Sequence, residues 1–242
     1  MKSSIFIAIV LISGAFAGLV QSGTNFVLVE PILDDAIEIE NRDLFESGEQ
    51  KNTPEFQAEY SSFRDWQKGG QFLAGVILGV STGALFGIVY ALSRNSLPGG
   101  HDVKKALVLA GIMWLVLFLV PFLKYPANPP AVGEGDTVAI RGAMFLAFTA
   151  ISGFAAVGFY RFSKILQGRT KIITAIGYGA FIAMVAFVMP DNPDDITVTD
   201  LIEEFRIMSI LGTSSFWIAM PLILGALWNK FRPDKQIHET TP

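Results

Sequence analysis

The sequence predicts an all-α integral membrane protein, a bundle of six transmembrane helices with both termini on the inner side. Three observations carry this. The composition is too apolar for a soluble chain, with 51% of 242 residues hydrophobic and only 17% charged, where an ordinary globular domain has roughly a quarter charged. The charges fall in blocks separated by long uncharged runs. The basic residues are shared unevenly between alternate loops, as the positive-inside rule requires.

The uncharged runs are Ser3–Val29, Gly69–Ser93, Ala106–Leu123, Gly142–Tyr160, Ile172–Met189 and Ile207–Asn229. Each holds 18 to 27 residues, and about 20 suffice to cross a hydrocarbon core of about 30 Å. The predicted spans are 4–29, 70–92, 106–123, 142–160, 172–189 and 207–228, in one membrane domain covering 1–242, with 30–68 a large acidic outer loop. The N-terminus, Arg94–Lys105, Arg161–Lys171 and the C-terminal tail carry 11 Lys/Arg and 3 Asp/Glu, whereas the alternate loops carry 7 and 19. Omitting the long first loop, whose charges orient weakly, makes the basic contrast 11 against 3. Trp66 and Tyr125 at outer ends, with Tyr90, Tyr160 and Trp228 at inner ends, suit interfacial aromatic belts.

The first span admits a second reading. Lys2, an apolar run and Ala15-Phe16-Ala17-Gly18 resemble a cleavable leader, which would leave five spans. Its uncharged run continues to Val29, well past a leader core, which favours a retained helix. Gly14, Gly18 and Ser22 form a small-residue ridge on it, and Gln21, Ser22 and Asn25 project from the same side. Amides facing lipid are costly, so this face should look into the bundle, either for interhelical hydrogen bonds or to line a water-filled pathway.

Glu30-Pro31 then opens an amphipathic helix, with Pro31 suited to a first turn and Ile32, Leu33, Ala36 and Ile37 at helical spacing. Glu30, Asp34 and Glu38 recur every fourth residue as one acidic stripe, either a solvated face or a source of hard oxygen ligands for a divalent cation. The second span has Gly75, Gly79, Gly83 and Gly87 at i+4 spacing, and the fifth repeats the device with Ala175, Gly179 and Ala183. Such ridges let helix backbones approach closely; the other reading is a conduit. After the third span, Tyr125-Pro126-Ala127-Asn128-Pro129-Pro130 removes three backbone donors and keeps every carbonyl. That segment is either a rigid turn or a lid over an outward cavity. The sixth span adds Ser209 and Thr213, and Pro221 should kink it.

Several function classes are excluded. There is no cysteine, hence no disulfide, thiolate site or cysteine nucleophile. No nucleotide-binding loop or catalytic triad is present, so the chain reads as a non-enzyme. A net charge of −4 argues against nucleic acid. No span has a carboxylate, Lys, Arg or His at its centre, which argues against a proton-relay pump.

The string Val120–Gly133, centred on Lys124-Tyr125-Pro126-Ala127-Asn128-Pro129-Pro130, resembles the signature of the CbtA family of cobalt-transporter subunits. Glu30-Pro31, the glycine-rich Gly75–Leu92 ending in Gly83-Ala84-Leu85-Phe86, and Phe205-Arg206 followed by Ser209 and Gly212-Thr213 agree in order, so the resemblance covers nearly the whole chain. It implies cobalt(II) as substrate, with no permanently bound cofactor, crossing the cytoplasmic membrane to feed corrinoid synthesis. A small single-span CbtB-like subunit is the implied partner, besides the lipid bilayer. The resemblance also implies five spans where the count here is six. The two histidines, His101 and His238, both fall on the inner side. An outer cation site must therefore use Glu30, Asp34 and Glu38 for capture and Asn128 with nearby carbonyls at the mouth. Lys124 there needs a carboxylate partner, and Arg206 should pair with Glu203 or Glu30. The alternative from another class is a non-transporting structural or assembly subunit.

Overall fold

A computed structural model describes residues 3–130, 132–165, 170–194 and 196–234; His238 lies outside them. Among these residues the chain is helical throughout, without a strand. The helices are α1 (Ser3–Leu28), α2 (Glu30–Ser47), α3 (Pro54–Ser93), α4 (Asp102–Trp114), α5 (Val120–Lys124), α6 (Val138–Ile165), α7 (Thr170–Val188) and α8 (Asp200–Phe231), with a wider turn over Leu115–Leu119 joining α4 to α5. Among the described residues five stretches are long and apolar enough to cross a membrane: Ser3–Leu28, Pro54–Ser96, Asp102–Lys124, Gly135–Ile165 and Asp200–Phe231. The shorter apolar helix Ile172–Val188 occupies the place of the predicted fifth span. Leu92, Phe154 and Phe187 stand largely exposed on these helices, a surface that only lipid or another apolar partner can cover.

The chain divides into two units, Met1–Gly111 with Ile207–Pro242, and Ile112–Arg206. The first is organised by glycine. The ridge of α3 seats on the ridge of α1: a Cβ at Gly79 would lie 2.8 Å from the Gly18 Cα, and one at Gly83 would lie 2.8 Å from the Gly14 Cα. Only hydrogen side chains permit that approach. At Gly75 the neighbour is Ser22, whose hydroxyl donates to the Gln71 carbonyl at 3.1 Å. Farther along, Phe86, Tyr90, Trp217 and Trp228 form an aromatic core, with Tyr90 edge-on to Trp228 at 5.1 Å. Tyr90 and Trp228 are therefore packing residues, not belt residues, whereas Trp66 and Tyr160 are exposed as belts require. Helix α8 runs unbroken through the buried Pro221.

The segment 30–68, expected as a loop, is a helical hairpin. Helix α3 has 40 residues, about 60 Å at 1.5 Å per residue, roughly twice a hydrocarbon core. Its first half lies against α2. Thr53 caps it by accepting from the Phe56 amide at 3.2 Å, with Pro54 in the first turn. Gly48, at φ 80°, closes α2 in the left-handed conformation.

In the second unit Tyr125, Phe148 and Ile182 form a buried centre, flanked by Val120, Met144, Phe145, Tyr178 and Phe181. The predicted ridge Ala175, Gly179, Ala183 does not pack here: all three are exposed, and Gly179 meets nothing within 4 Å. Gly177, one face round, meets the Phe159 ring instead.

Candidate functional site

The proline segment is stapled down by side chains from three later parts of the second unit. Tyr125 is buried, and its hydroxyl donates to the Pro190 carbonyl at 2.6 Å. Burial pushes that hydroxyl above its usual range, with Asp191 adding to it and Lys124 opposing, so it stays protonated as a donor. Lys124 finds the carboxylate it needs in Asp191. Arg206 pairs with neither Glu203 nor Glu30. Its Nε donates to the Ala127 carbonyl at 3.3 Å and its Nη2 to Asn128 Oδ1 at 2.7 Å. The start of α8 brings the guanidinium under the loop, where neutral oxygens are the nearest acceptors. A third staple is Arg141, whose Nη1 and Nη2 donate to the Val132 and Glu134 carbonyls at 3.3 Å. Its Nε lies 3.2 Å from Asp194 Oδ2 without hydrogen-bond alignment, an ionic contact only. Thr137 donates to the same Asp194 oxygen at 2.9 Å. Gly133, at φ 89°, passes so close to Asp194 that a side chain would collide with it.

Proline chemistry explains this arrangement. Pro126, Pro129 and Pro130 contribute carbonyls but no donors, so donors must come from elsewhere. Here Arg206 donates to the Ala127 carbonyl and Arg141 to those of Val132 and Glu134, while the Val132 amide reaches the Pro129 carbonyl. Pro129 is buried and Pro130 exposed. Sequence reading found the segment and Arg206, but missed Arg141 in the first turn of α6 and Asp191 and Asp194 in the loop after α7, because no spacing links either place to the proline segment.

The acidic stripe of α2 is not open. Arg64 Nη2 sits 2.6 Å from Glu30 Oε1 and 2.7 Å from Asp34 Oδ1, and Lys68 Nζ lies 2.6 Å from Asp34 Oδ2. Gln67 takes a further Arg64 donor at 2.9 Å, and Gln71 reaches Glu30 at 3.4 Å. Glu30 and Arg64 are 8% and 9% exposed, so this pair is removed from water. Burial pushes the Asp34 carboxyl up, but hydrogen bonds from Lys68 and Arg64, with their charges, outweigh it and hold Asp34 below its usual 3.8. Glu38 is exposed. Among the described residues no three His, Asp or Glu side chains are gathered as a metal ion would need. Arg64 and Lys68 were legible in principle: they repeat at i, i+4, matching Glu30 and Asp34 on the opposing helix.

Gln21 and Asn25 are half-buried on α1. Asn25 lies against Gly212 of α8, where a Cβ would overlap its amide oxygen. Toward the other end of this unit, Arg94 pairs with Asp102 and, at 3.2 Å, with Asp234, and lies 5.5 Å over the Trp228 ring. The Tyr90 hydroxyl donates to Asp102 Oδ1 at 2.8 Å. This polar knot ties α3, α4 and the end of α8 together. His101 beside it is exposed.

Across residues 4–229 the chain matches the family model described as CbtA, probable cobalt transporter subunit. No curated protein and no solved structure matches it.

Proposed function

The chain belongs to the CbtA family of probable cobalt transporter subunits, and from that membership we propose that it is the membrane permease subunit through which cobalt(II), or a related divalent cation, enters the cell to feed corrinoid synthesis. The match over nearly the whole length of a multi-helix membrane chain is the observation that carries this reading. Cobalt is cargo here, not a resident cofactor. Six helices would cross the cytoplasmic membrane with both termini inside, counting α7, and the α2–α3 hairpin and proline segment would face outward. A single-span CbtB-like subunit would join it.

Ion pairing at the expected capture residues supports a displacement mechanism. Each predicted capture residue that is engaged is engaged by the chain's own cation: Glu30 and Asp34 by Arg64 and Lys68, Asn128 by Arg206. These act as place-holding charges, so an arriving divalent ion must displace an ammonium or guanidinium before it meets oxygen. The surplus acidity of the outer segments concentrates cations at this surface, and exposed Glu38 makes first contact. Gln21 and Asn25 then offer amide oxygens along α1.

The competing role is a structural subunit that moves nothing. Asn128→Ala separates the two when membrane levels are matched. A permease mouth should show a lower maximal cobalt uptake rate with little change in half-saturation, whereas a scaffold should show no change beyond protein amount.

A further inference from the structure

Between α4 and α5 the helical winding widens, and the change frees a carbonyl. Over Leu115–Leu119 the turn is π-helical, and the Val120 amide donates five residues back, to the Leu115 carbonyl. Pro121 accounts for the location, because it has no amide hydrogen and its ring would press on the carbonyl four residues earlier. A π-turn accommodates that by taking up one extra residue. In α-helical register the Val120 amide would serve Val116; in π register the Val116 carbonyl is left for another donor.

That donor comes from the next helix. Ser152 of α6, fully buried, donates its hydroxyl to the Val116 carbonyl at 2.6 Å, and the Tyr178 hydroxyl of α7 lies 2.8 Å from Ser152 Oγ. Beside it, a Cβ at Gly153 would come within 3.0 Å of Leu117 Cδ2, so the glycine makes room for the widened turn. Two hydroxyls at membrane depth are costly unless they are used. Here Ser152 competes directly with the Val120 amide for one acceptor, and the Tyr178 hydroxyl, donating to Ser152 Oγ, holds Ser152 in place.

We propose that this turn is a two-state joint, with Ser152 and Tyr178 as the catch that holds the π register. On release, the Val120 amide returns to the Val116 carbonyl. The segment Val120–Lys124 then rotates by about 100° and advances about 1.5 Å, one residue of helix, carrying Lys124, Tyr125 and the proline segment with it. This gives the outer loop a defined movement; its use in cation passage rests on the permease reading, but the joint itself does not.

The test uses the cysteine-free chain with one cysteine at Leu123, an exposed position on α5, carrying a trifluoromethyl label read by fluorine NMR in detergent. The joint predicts a major and a minor resonance. Ser152→Ala should raise the minor population at least threefold, Ser152→Thr should restore it, and Tyr178→Phe should shift it in the same direction by less. Deleting Leu117 removes the extra residue and should leave a single resonance. Unchanged populations in Ser152→Ala at preserved thermal stability would overturn the proposal. If that variant is not recovered, unchanged populations in Tyr178→Phe would do so. Because no cobalt is involved, failure here leaves the permease reading standing, and loss of cobalt uptake leaves the joint standing.

Discussion

Arg64 is the residue on which the α2–α3 hairpin depends most, because it serves two carboxylates and an amide from inside a nearly dry interface. Removing one partner of a buried pair strands the other, at about 3–5 kcal/mol. Arg64→Ala should therefore lower the melting temperature of purified protein clearly, and Glu30→Gln should do so by a similar route. Asp34 adds a pH dependence. Its carboxyl is held below 3.8, so the folded state binds this proton less readily than the unfolded chain. The stabilisation is full above about pH 4 and is lost as pH falls through the depressed value. Lys68→Met should weaken that acid dependence in melting curves taken between pH 5 and pH 2.5. The same variant tests the place-holding charge, since freeing Asp34 Oδ2, with Oδ1 still held by Arg64, should lower the cobalt concentration for half-maximal uptake. An unchanged half-saturation would show that Lys68 is only an anchor.

At the scale of elements, glycine spacing was the most legible signal, yet it was only half sufficient. Small-residue ridges of the same i+4 spacing on α3 and α7 have opposite fates: Gly79 and Gly83 face α1, while Gly179 is open. A ridge states that close approach is possible, and only a matching ridge such as Gly14 and Gly18 supplies the partner. Gly79→Leu and Gly83→Leu should sharply reduce folded protein recovered in detergent, while Gly179→Leu should be tolerated. Equal recovery of all three would refute the α1–α3 interlock. The hairpin was half legible in the same way. Its amphipathic start at Glu30-Pro31 was readable, but extension of α3 back to Pro54, well before its apolar run, was not, because charged residues ended the apolar run while helix propensity did not end. The π-turn left no trace beyond Pro121, since it depends on a hydroxyl from another helix.

At the scale of the whole molecule, charge blocks and apolar runs were enough to read an all-helical membrane chain, and the family resemblance drawn from the proline string holds across residues 4–229. Partner choice between charges was not readable, because Lys124 and Arg206 take whatever acceptor the loops bring near. The proposed orientation can be checked with single cysteines and an impermeant maleimide on intact cells. Cysteine at Glu49 or Asn192 should label and cysteine at Gly99 should not; labelling at Gly99 would invert the topology. The central claim is that this chain moves cobalt, and initial uptake of radiolabelled cobalt at limiting concentration measures it most directly. Cells lacking the chain should take up several-fold less than cells with it restored to its normal level. Equal initial rates in the two would contradict the permease and leave a structural subunit.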